Sequence, residues 1–321
     1  MPTQLPPVLE SAIETCGLLS RSLLTSLLGG DADAVGTSRR SADPNVDAVA
    51  YLLATAACLV VIVLTRKAVV EPFARWALPS APGARSDDAR RAKITRFGDS
   101  GVELISYGVF TVVGCMVMAQ QPWLWPSSQW WEGQPEGLHA DMRNDLRAWY
   151  LLDAARYTAA ILSLLFLEKG RKDSKEMLLH HVITVVITLC SYSIDFTRVG
   201  AIVKLLMDPA DVPLHAAKLC KYSGREFAAD RLFELFGVSF FVMRLVMYGY
   251  VVWAATFEVR EYTTLPLSGN VCVAGLIVLY GLQVFWFSLV VKVALSISRG
   301  GKLQDIRSDS EAEGDGRTKR D

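Results

Sequence analysis

The sequence predicts an all-α membrane protein with about seven membrane-crossing helices. Two observations support this: apolar residues concentrate in long runs with few charges, and basic and non-basic connections alternate between the runs. A helix needs about 20 apolar residues to cross a hydrocarbon core of about 30 Å, and most of the runs have that length. The runs are 48–65, 102–119, 148–167, 177–194, 199–217, 232–257 and 271–297, of which 199–217 is the weakest.

The N-terminal segment, 1–46, precedes the first run and is expected to be lumenal. It contains Glu10 and Glu14 and has no secretory signal with a cleavage site. A weak amphipathic stretch from Leu18 to Leu28 predicts either a helix on the membrane surface or a disordered leader.

Composition divides the rest of the chain. We expect a first transmembrane helix over 47–66, a flexible cytosolic loop over 67–93, a main membrane domain over 94–298 and a disordered cytosolic tail over 299–321. The loop is predicted from its proline, glycine, small and charged residues. The tail is predicted from its polarity and its lack of apolar periodicity.

The charges of the connections predict the orientation. Connection 66–96 carries eight basic residues against three acidic ones, whereas 120–146 is acidic and rich in tryptophan. Residues 168–176 and 218–231 are basic again. Because basic connections face the cytosol, the N-terminus is predicted to be lumenal and the C-terminus cytosolic.

The six cysteines do not follow the spacing of a metal site. No CxxC or CxxH pattern occurs, and four of the cysteines lie within predicted spans. We therefore expect packing cysteines, with neither a disulfide framework nor a bound metal.

The most informative feature is a pair of adjacent histidines, His180 and His181, inside an apolar run. Ionisable groups in hydrocarbon cost a few kcal/mol each, so they persist where they line a cavity, pair with one another or do chemistry. Adjacent helical residues point about 100° apart. One ring can therefore face a cavity while the other braces a neighbouring helix. The alternative is a pair of core histidines that hydrogen-bond between helices.

The local sequence places this pair near the cytosolic surface. Asp173 and Glu176 resemble a capping box, which predicts a helix start at 173. His180 would then lie about 10 Å below the surface. Thr184 is close enough on the same helix to orient either ring.

Two carboxylates, Asp208 and Asp211, lie in the next run at a matching depth. A carboxylate there can fix the tautomer of a histidine and stabilise its imidazolium. Asp208 can alternatively cap a helix that has Pro209 at its first position. Pro213 adds a further missing backbone hydrogen bond, so this span is predicted to be kinked or broken between 208 and 213.

Other charges lie within the predicted spans. Asp153 and Arg156, three residues apart, predict an internal ion pair, and Lys204 is predicted to neutralise an aspartate. Arg244 either closes the carboxylate network or holds an anionic group of a ligand.

Segment 168–222 resembles the Lag1 motif of ceramide synthases, within the wider TRAM–Lag1–CLN8 (TLC) domain. The chain departs from the motif at Met207, where the family usually has a histidine. The matching elements are RKD at 171–173, MLLHH at 177–181, SY at 191–192, RVG at 198–200 and MDPAD at 207–211.

The resemblance implies a bundle of six core helices around a long cavity for an acyl chain, in the endoplasmic reticulum membrane. It implies transfer of a fatty acyl group from acyl-CoA, as co-substrate, to the amine of a sphingoid base, without a cofactor. Membrane lipid is an expected partner, nucleic acid is not, and a homo- or heterodimer is left open. The implied catalytic residues are His180, His181, Asp208 and Asp211. The candidate substrate contacts are Arg171, Lys172, Thr184, Tyr192 and Arg244.

Two alternatives stay open at this point. Arg171 and Lys172 either receive the phosphates of coenzyme A or act only as topology determinants, and the second is favoured. The whole protein is either an enzyme or a non-catalytic TLC protein that binds or senses lipid or assists translocation, with a seven-span receptor a more distant rival. The four ionisable groups favour an enzyme, because a lipid-binding cavity does not need them.

Overall fold

The computed structural model describes residues 6–28, 37–39, 44–78, 84–133, 141–166 and 174–298. Within them the chain is almost entirely helical, as predicted. The elements are α1 (Pro7–Leu27), β1 (Thr37–Arg39), α2 (Pro44–Leu64), α3 (Glu71–Ala77), α4 (Ala84–Met118), β2 (Asp141–Arg143), α5 (Asn144–Phe166), α6 (Ser174–Ser193), α7 (Thr197–Met207), α8 (Asp211–Tyr222), α9 (Glu226–Phe240), α10 (Tyr248–Thr256) and α11 (Leu267–Ser298). Two π-helical segments, Thr65–Val70 and Phe241–Met247, join α2 to α3 and α9 to α10.

Five helical stretches of the described chain are long and apolar enough to cross a membrane, and they coincide with five of the seven predicted spans. The other two predicted spans are also helical. Span 148–167 corresponds to α5, and span 199–217 corresponds to the broken pair α7 and α8. Both carry charged residues, which lowers their hydropathy. The five stretches are Asn45–Ala77, Arg90–Met118, Ser174–Ser193, Glu226–Glu261 and Leu267–Ile297.

The segment predicted as a flexible loop, 67–93, is largely helical. The first span continues without a break through the π-helical segment into α3, and α4 begins at Ala84. Pro72 stands at the start of α3, directly after the π-helical segment. Composition alone therefore predicted a loop in parts of 67–93 where the structure has helix. Residues 79–83 and the predicted tail, 299–321, lie outside the described residues.

The N-terminal segment includes a helix rather than a wholly disordered leader. Helix α1 packs against α2 and α5, and Ala12 and Leu19 on its inner face are buried. Strand β1 pairs with β2 in antiparallel register, with Thr37 opposite Arg143. The segment before the first span is thus joined by backbone hydrogen bonds to the residues that lead into α5.

The predicted break in the fifth span is present. Helix α7 ends at Met207, and the turn Asp208–Pro209–Ala210 leads into α8, which begins at Asp211. Irregular backbone at membrane depth is tolerated where it faces protein or a cavity, and here Asp208 and Ala210 are buried. The break places two carboxylates inside the helix bundle.

Candidate functional site

A cavity lies between α5, α6, α7, α10 and α11. The space there amounts to about 820 Å³ when the solvent at its open mouth is included. Helix α6 contributes one face, at spacings of three and four residues. That face consists of His180, Thr184, Ile187, Thr188 and Ser191.

The two histidines divide their surroundings as the helix geometry predicts. His180 lines the cavity. His181, the next residue of α6, is also buried but is not among the residues that line this cavity. The ring centroids are 5.5 Å apart, and the ring of Tyr157 on α5 lies edge-on to both, at 6.2 Å from His180 and 5.4 Å from His181.

The imidazole of His180 has aromatic neighbours and an uncommitted nitrogen. The ring of Trp286 on α11 meets it edge-on at 5.2 Å. Within the described part of the chain, Nδ1 of His180 is buried and has no hydrogen-bond partner. A buried polar atom of this kind is rare in folded proteins, because the lost hydrogen bond to water costs about 1–3 kcal/mol. Nδ1 of His180 therefore has hydrogen-bonding capacity that the described residues do not use.

Asp208 is held by an arginine of α5. Nη2 of Arg156 lies 2.9 Å from each carboxylate oxygen of Asp208. Arg156 also donates to Asp153 at 2.6 Å, which confirms the predicted ion pair three residues apart. The side chain of Asp208 is directed to this guanidinium and does not cap α8, so the predicted N-cap role is wrong.

Asp211 is held by Arg244. The arginine lies in the π-helical segment that follows α9, and its Nη2 donates to Oδ2 of Asp211 and to the carbonyl of Met207. Nε of Arg244 donates to the same carbonyl at 3.1 Å. The Met207 carbonyl stands at the end of α7, where helical partners are missing. Arg244 thus donates hydrogen bonds to the last carbonyl of α7 and also neutralises the carboxylate of Asp211.

Lys204 completes a neutral buried cluster. Its ammonium donates to Asp153 at 2.6 Å and lies 3.3 Å from the hydroxyl oxygen of Thr188. The prediction that Lys204 neutralises an aspartate is confirmed. With Arg156 and Asp208, the cluster contains two cations and two anions, as a low-dielectric interior requires.

Each carboxylate of the broken helix is paired with a buried arginine. Asp208 is paired with Arg156 and Asp211 with Arg244, and the orienting role toward a histidine that the sequence suggested for these carboxylates stays a prediction. A guanidinium is always charged and pairs with a carboxylate more strongly than a neutral imidazole does. Both arginines are buried, so the two pairs are shielded from water.

Two of the candidate substrate contacts are engaged elsewhere. The hydroxyl of Tyr192 donates to Asp47 of α2 at 3.1 Å and accepts from Nε of Arg147 at 3.2 Å. Arg244 is paired with Asp211, and neither Tyr192 nor Arg244 is among the residues that line the cavity. The predicted contact of either residue with substrate is therefore not supported by its position.

The remaining candidates have mixed outcomes. Thr184 lines the cavity, but its hydroxyl donates to the backbone carbonyl of His180 at 2.8 Å, not to a histidine ring. Arg171 and Lys172 lie outside the described residues. Among the described residues, no group of three or more His, Cys, Asp or Glu side chains could hold a metal ion.

Sequence reasoning missed the aromatic residues of the site. Tyr157 and Trp286 contact His180 from α5 and α11, and Trp131 lines the cavity from the connection between α4 and α5. None of the three lies within the 168–222 motif. The tryptophan-rich character of 120–146 was the one available signal, and it was used only for topology.

Comparison with known proteins identifies the family. The family model described as the TLC domain matches residues 96–292, which is more than half of the chain. Ceramide synthase LOH2 of Arabidopsis thaliana is 31% identical over 260 residues, covering 77% of this chain and 86% of that protein. The chain belongs to the ceramide synthase family. Ceramide synthase 4 of Bos taurus is 33% identical over 232 residues, covering 71% of this chain and 57% of that protein.

Membership of this family supports a membrane-bound acyltransferase of sphingolipid metabolism. A third relative agrees: ceramide synthase 1 LOH3 of Arabidopsis thaliana is 31% identical over 239 residues, covering 70% of this chain and 77% of that protein. The histidine pair and the broken helix both lie within the matched region.

Proposed function

We propose that this ceramide synthase homologue transfers a fatty acyl group from acyl-CoA to the amine of a sphingoid base, forming an amide and free coenzyme A. The observation that carries the proposal is the position of His180, which lines the cavity and whose Nδ1 has no hydrogen-bond partner among the described residues. The cavity is lined mainly by apolar side chains and is elongated along α6, which suits an acyl chain. We further propose that the enzyme acts in the endoplasmic reticulum membrane and needs no cofactor.

In this reaction His180 handles a proton. The amine nitrogen attacks the thioester carbonyl, the C–N bond forms and the C–S bond breaks. His180 takes the proton that the amine loses and returns it to the leaving thiolate. A two-step route, in which the imidazole first accepts the acyl group, uses the same ring as nucleophile. Both routes need an imidazole at the wall of the cavity.

The neighbours of His180 suit this chemistry. The rings of Tyr157 and Trp286 flank the imidazole, and His181 lies on its other side. Apolar walls limit the water that would otherwise hydrolyse the thioester. We assign His181 as a positioning residue. Asp208 and Asp211 fix the side chains of Arg156 and Arg244 within the same bundle.

The test is ceramide formation by the full-length protein in isolated membranes, supplied with acyl-CoA and sphinganine. His180→Ala is expected to lower the rate by at least about 100-fold, the usual contribution of a general base or acid. Val182→Ala, on the exposed face of the same helix, is the matched control and is expected to retain activity. Full activity of His180→Ala in a folded protein would refute the assignment.

The same assay separates the rival function. A non-catalytic lipid-binding protein would bind acyl-CoA or sphinganine and release neither ceramide nor free coenzyme A. Such an outcome with the unmodified protein would overturn the proposed enzyme while leaving the family membership intact.

A further inference from the structure

The end of the cavity opposite His180 is lined by a tryptophan from another part of the chain. Trp131 lies in the connection between α4 and α5, is 2% exposed, and lines the cavity. Phe196, Val259 and Leu265 line the same end, where α6 meets α7 and where α10 leads to α11. His180 stands in the second turn of α6, so the two residues mark the two ends of one elongated space.

Trp131 is fixed by a carboxylate. Its indole Nε1 donates to Oε2 of Glu258 at 3.2 Å, and the hydroxyl of Ser127 donates to Oε1 of the same carboxylate at 2.8 Å. The ring of Phe196 packs on Trp131 at 6.4 Å between centroids. A buried indole with its N–H bonded to a carboxylate has little freedom to rotate.

A second contact holds the same connection from α7. The guanidinium of Arg198 donates to the carbonyl of Gln129 and lies 5.6 Å from the ring centroid of Trp123. The connection is thus attached at two points to the helix ends beneath the cavity. These contacts hold Trp131 in place, and the end of the cavity lined by Trp131, Phe196, Val259 and Leu265 is called the floor below.

The helices give the depth of the space above this floor. From His180 to Ser191, helix α6 rises about 16 Å, and from Gln283 to Gly269, helix α11 rises about 21 Å. An extended hydrocarbon chain with C–C bonds of about 1.5 Å advances about 1.25 Å per carbon, so this depth holds roughly 13 to 17 carbons.

We propose that Trp131, positioned by Glu258, is the residue that limits the acyl chain, and that the preferred acyl-CoA has roughly 13 to 17 carbons. This inference rests on the proposed acyl transfer and adds the chain-length class and its determinant. A longer chain would have to displace the indole from Glu258 or leave part of itself outside the cavity.

The test is a competition among saturated acyl-CoAs from about 12 to about 24 carbons, with the full-length protein in membranes and ceramides identified by mass spectrometry. One methylene in a closed apolar pocket changes selectivity by about 10-fold or more. The unmodified protein is expected to favour chains within the proposed range. Trp131→Ala is expected to raise the ratio of chains several carbons longer to the original optimum by at least about 10-fold.

Three further variants make the result specific. Trp125→Ala removes an exposed tryptophan of the same connection that does not line the cavity, and it should leave the distribution unchanged. Glu258→Gln should broaden the distribution toward longer chains without a change in total activity of more than a few-fold. If Trp131→Ala does not fold, Val199→Phe, which fills the same end of the cavity, should shift the preference to shorter chains.

The outcomes are distinguishable. An active Trp131→Ala protein with an unchanged distribution would overturn the assignment of the floor. An unmodified protein that prefers chains of about 22 carbons or more would overturn the depth argument. No product from any acyl-CoA would instead contradict the proposed function itself.

Discussion

At the scale of single residues, the charges inside the bundle decide which groups remain for chemistry. Arg156 and Lys204 neutralise Asp153 and Asp208, and each of these four side chains is almost fully buried. Removing one member of such a set lowers the free energy of unfolding by more than the set contributes as a whole, because the partner charge is left unpaired in a low-dielectric interior. His180, in contrast, lines the cavity and has a buried Nδ1 with no hydrogen-bond partner in the described part of the chain.

Removing one member of this set is predicted to destabilise the fold. Arg156→Met leaves Asp208 without its donor, and we expect a loss of about 3–5 kcal/mol in the free energy of unfolding. The double variant Arg156→Met/Asp208→Asn should lose less, because the unpaired charge is gone. The stability losses of the single and the double variant are compared through their apparent melting temperatures in detergent.

The matched control is Arg231→Met. Arg231 pairs with Glu234 at 2.6 Å, but both side chains are more than half exposed. An exposed pair contributes about 1 kcal/mol or less. Equal losses for Arg156→Met and Arg231→Met would contradict the assigned role of the buried set.

At the scale of helices, the shape of the cavity depends on close approaches between neighbours. Helix α7 passes α5 at Gly200, where an added Cβ would overlap the hydroxyl of Tyr150. That hydroxyl is itself bonded to Ser191 of α6, so it cannot move freely. Glycine is therefore required here for packing and not for its backbone conformation.

Gly200→Ala is predicted to lower stability by about 1–3 kcal/mol, the usual cost of overpacking a core. The control is Gly281→Ala on α11, where an added Cβ meets nothing within 4 Å. That substitution should be neutral or stabilising by up to about 1 kcal/mol, because alanine favours helix. Thermal unfolding of the two variants in parallel tests the close approach.

At the scale of the whole molecule, buried contacts join the first span to the helices that carry the site. Asp47 of α2 forms an ion pair with Arg147 of α5 and accepts from Tyr192 of α6. Helix α1 and the β1–β2 pairing add contacts near the same end of the bundle. The first span is therefore an integral part of the fold, and not a separate anchor.

The charge distribution predicts the orientation of this assembly in the membrane. An epitope at the N-terminus should be protected from protease in sealed microsomes, and one at the C-terminus should be digested. Detergent should expose the N-terminal epitope. The reverse pattern would contradict the orientation and would place His180 near the lumenal surface.

The sequence by itself determined the features that depend on short stretches of chain. Runs of about 20 apolar residues predicted the membrane helices, adjacency predicted that one histidine faces the cavity and the other does not, and Asp208–Pro209 predicted the broken helix. Each of these follows from hydropathy, helical geometry or proline chemistry within a few turns.

Only the tertiary structure decided which side chains meet. Asp208 binds Arg156, 52 residues away, and Tyr192 binds Asp47, 145 residues away, and neither pairing was predicted from the motif. Trp131 reaches the cavity from the connection 120–146, which the sequence analysis described only as acidic and rich in tryptophan. Such pairings depend on the relative rotation and depth of several helices, and no local pattern in one sequence encodes them.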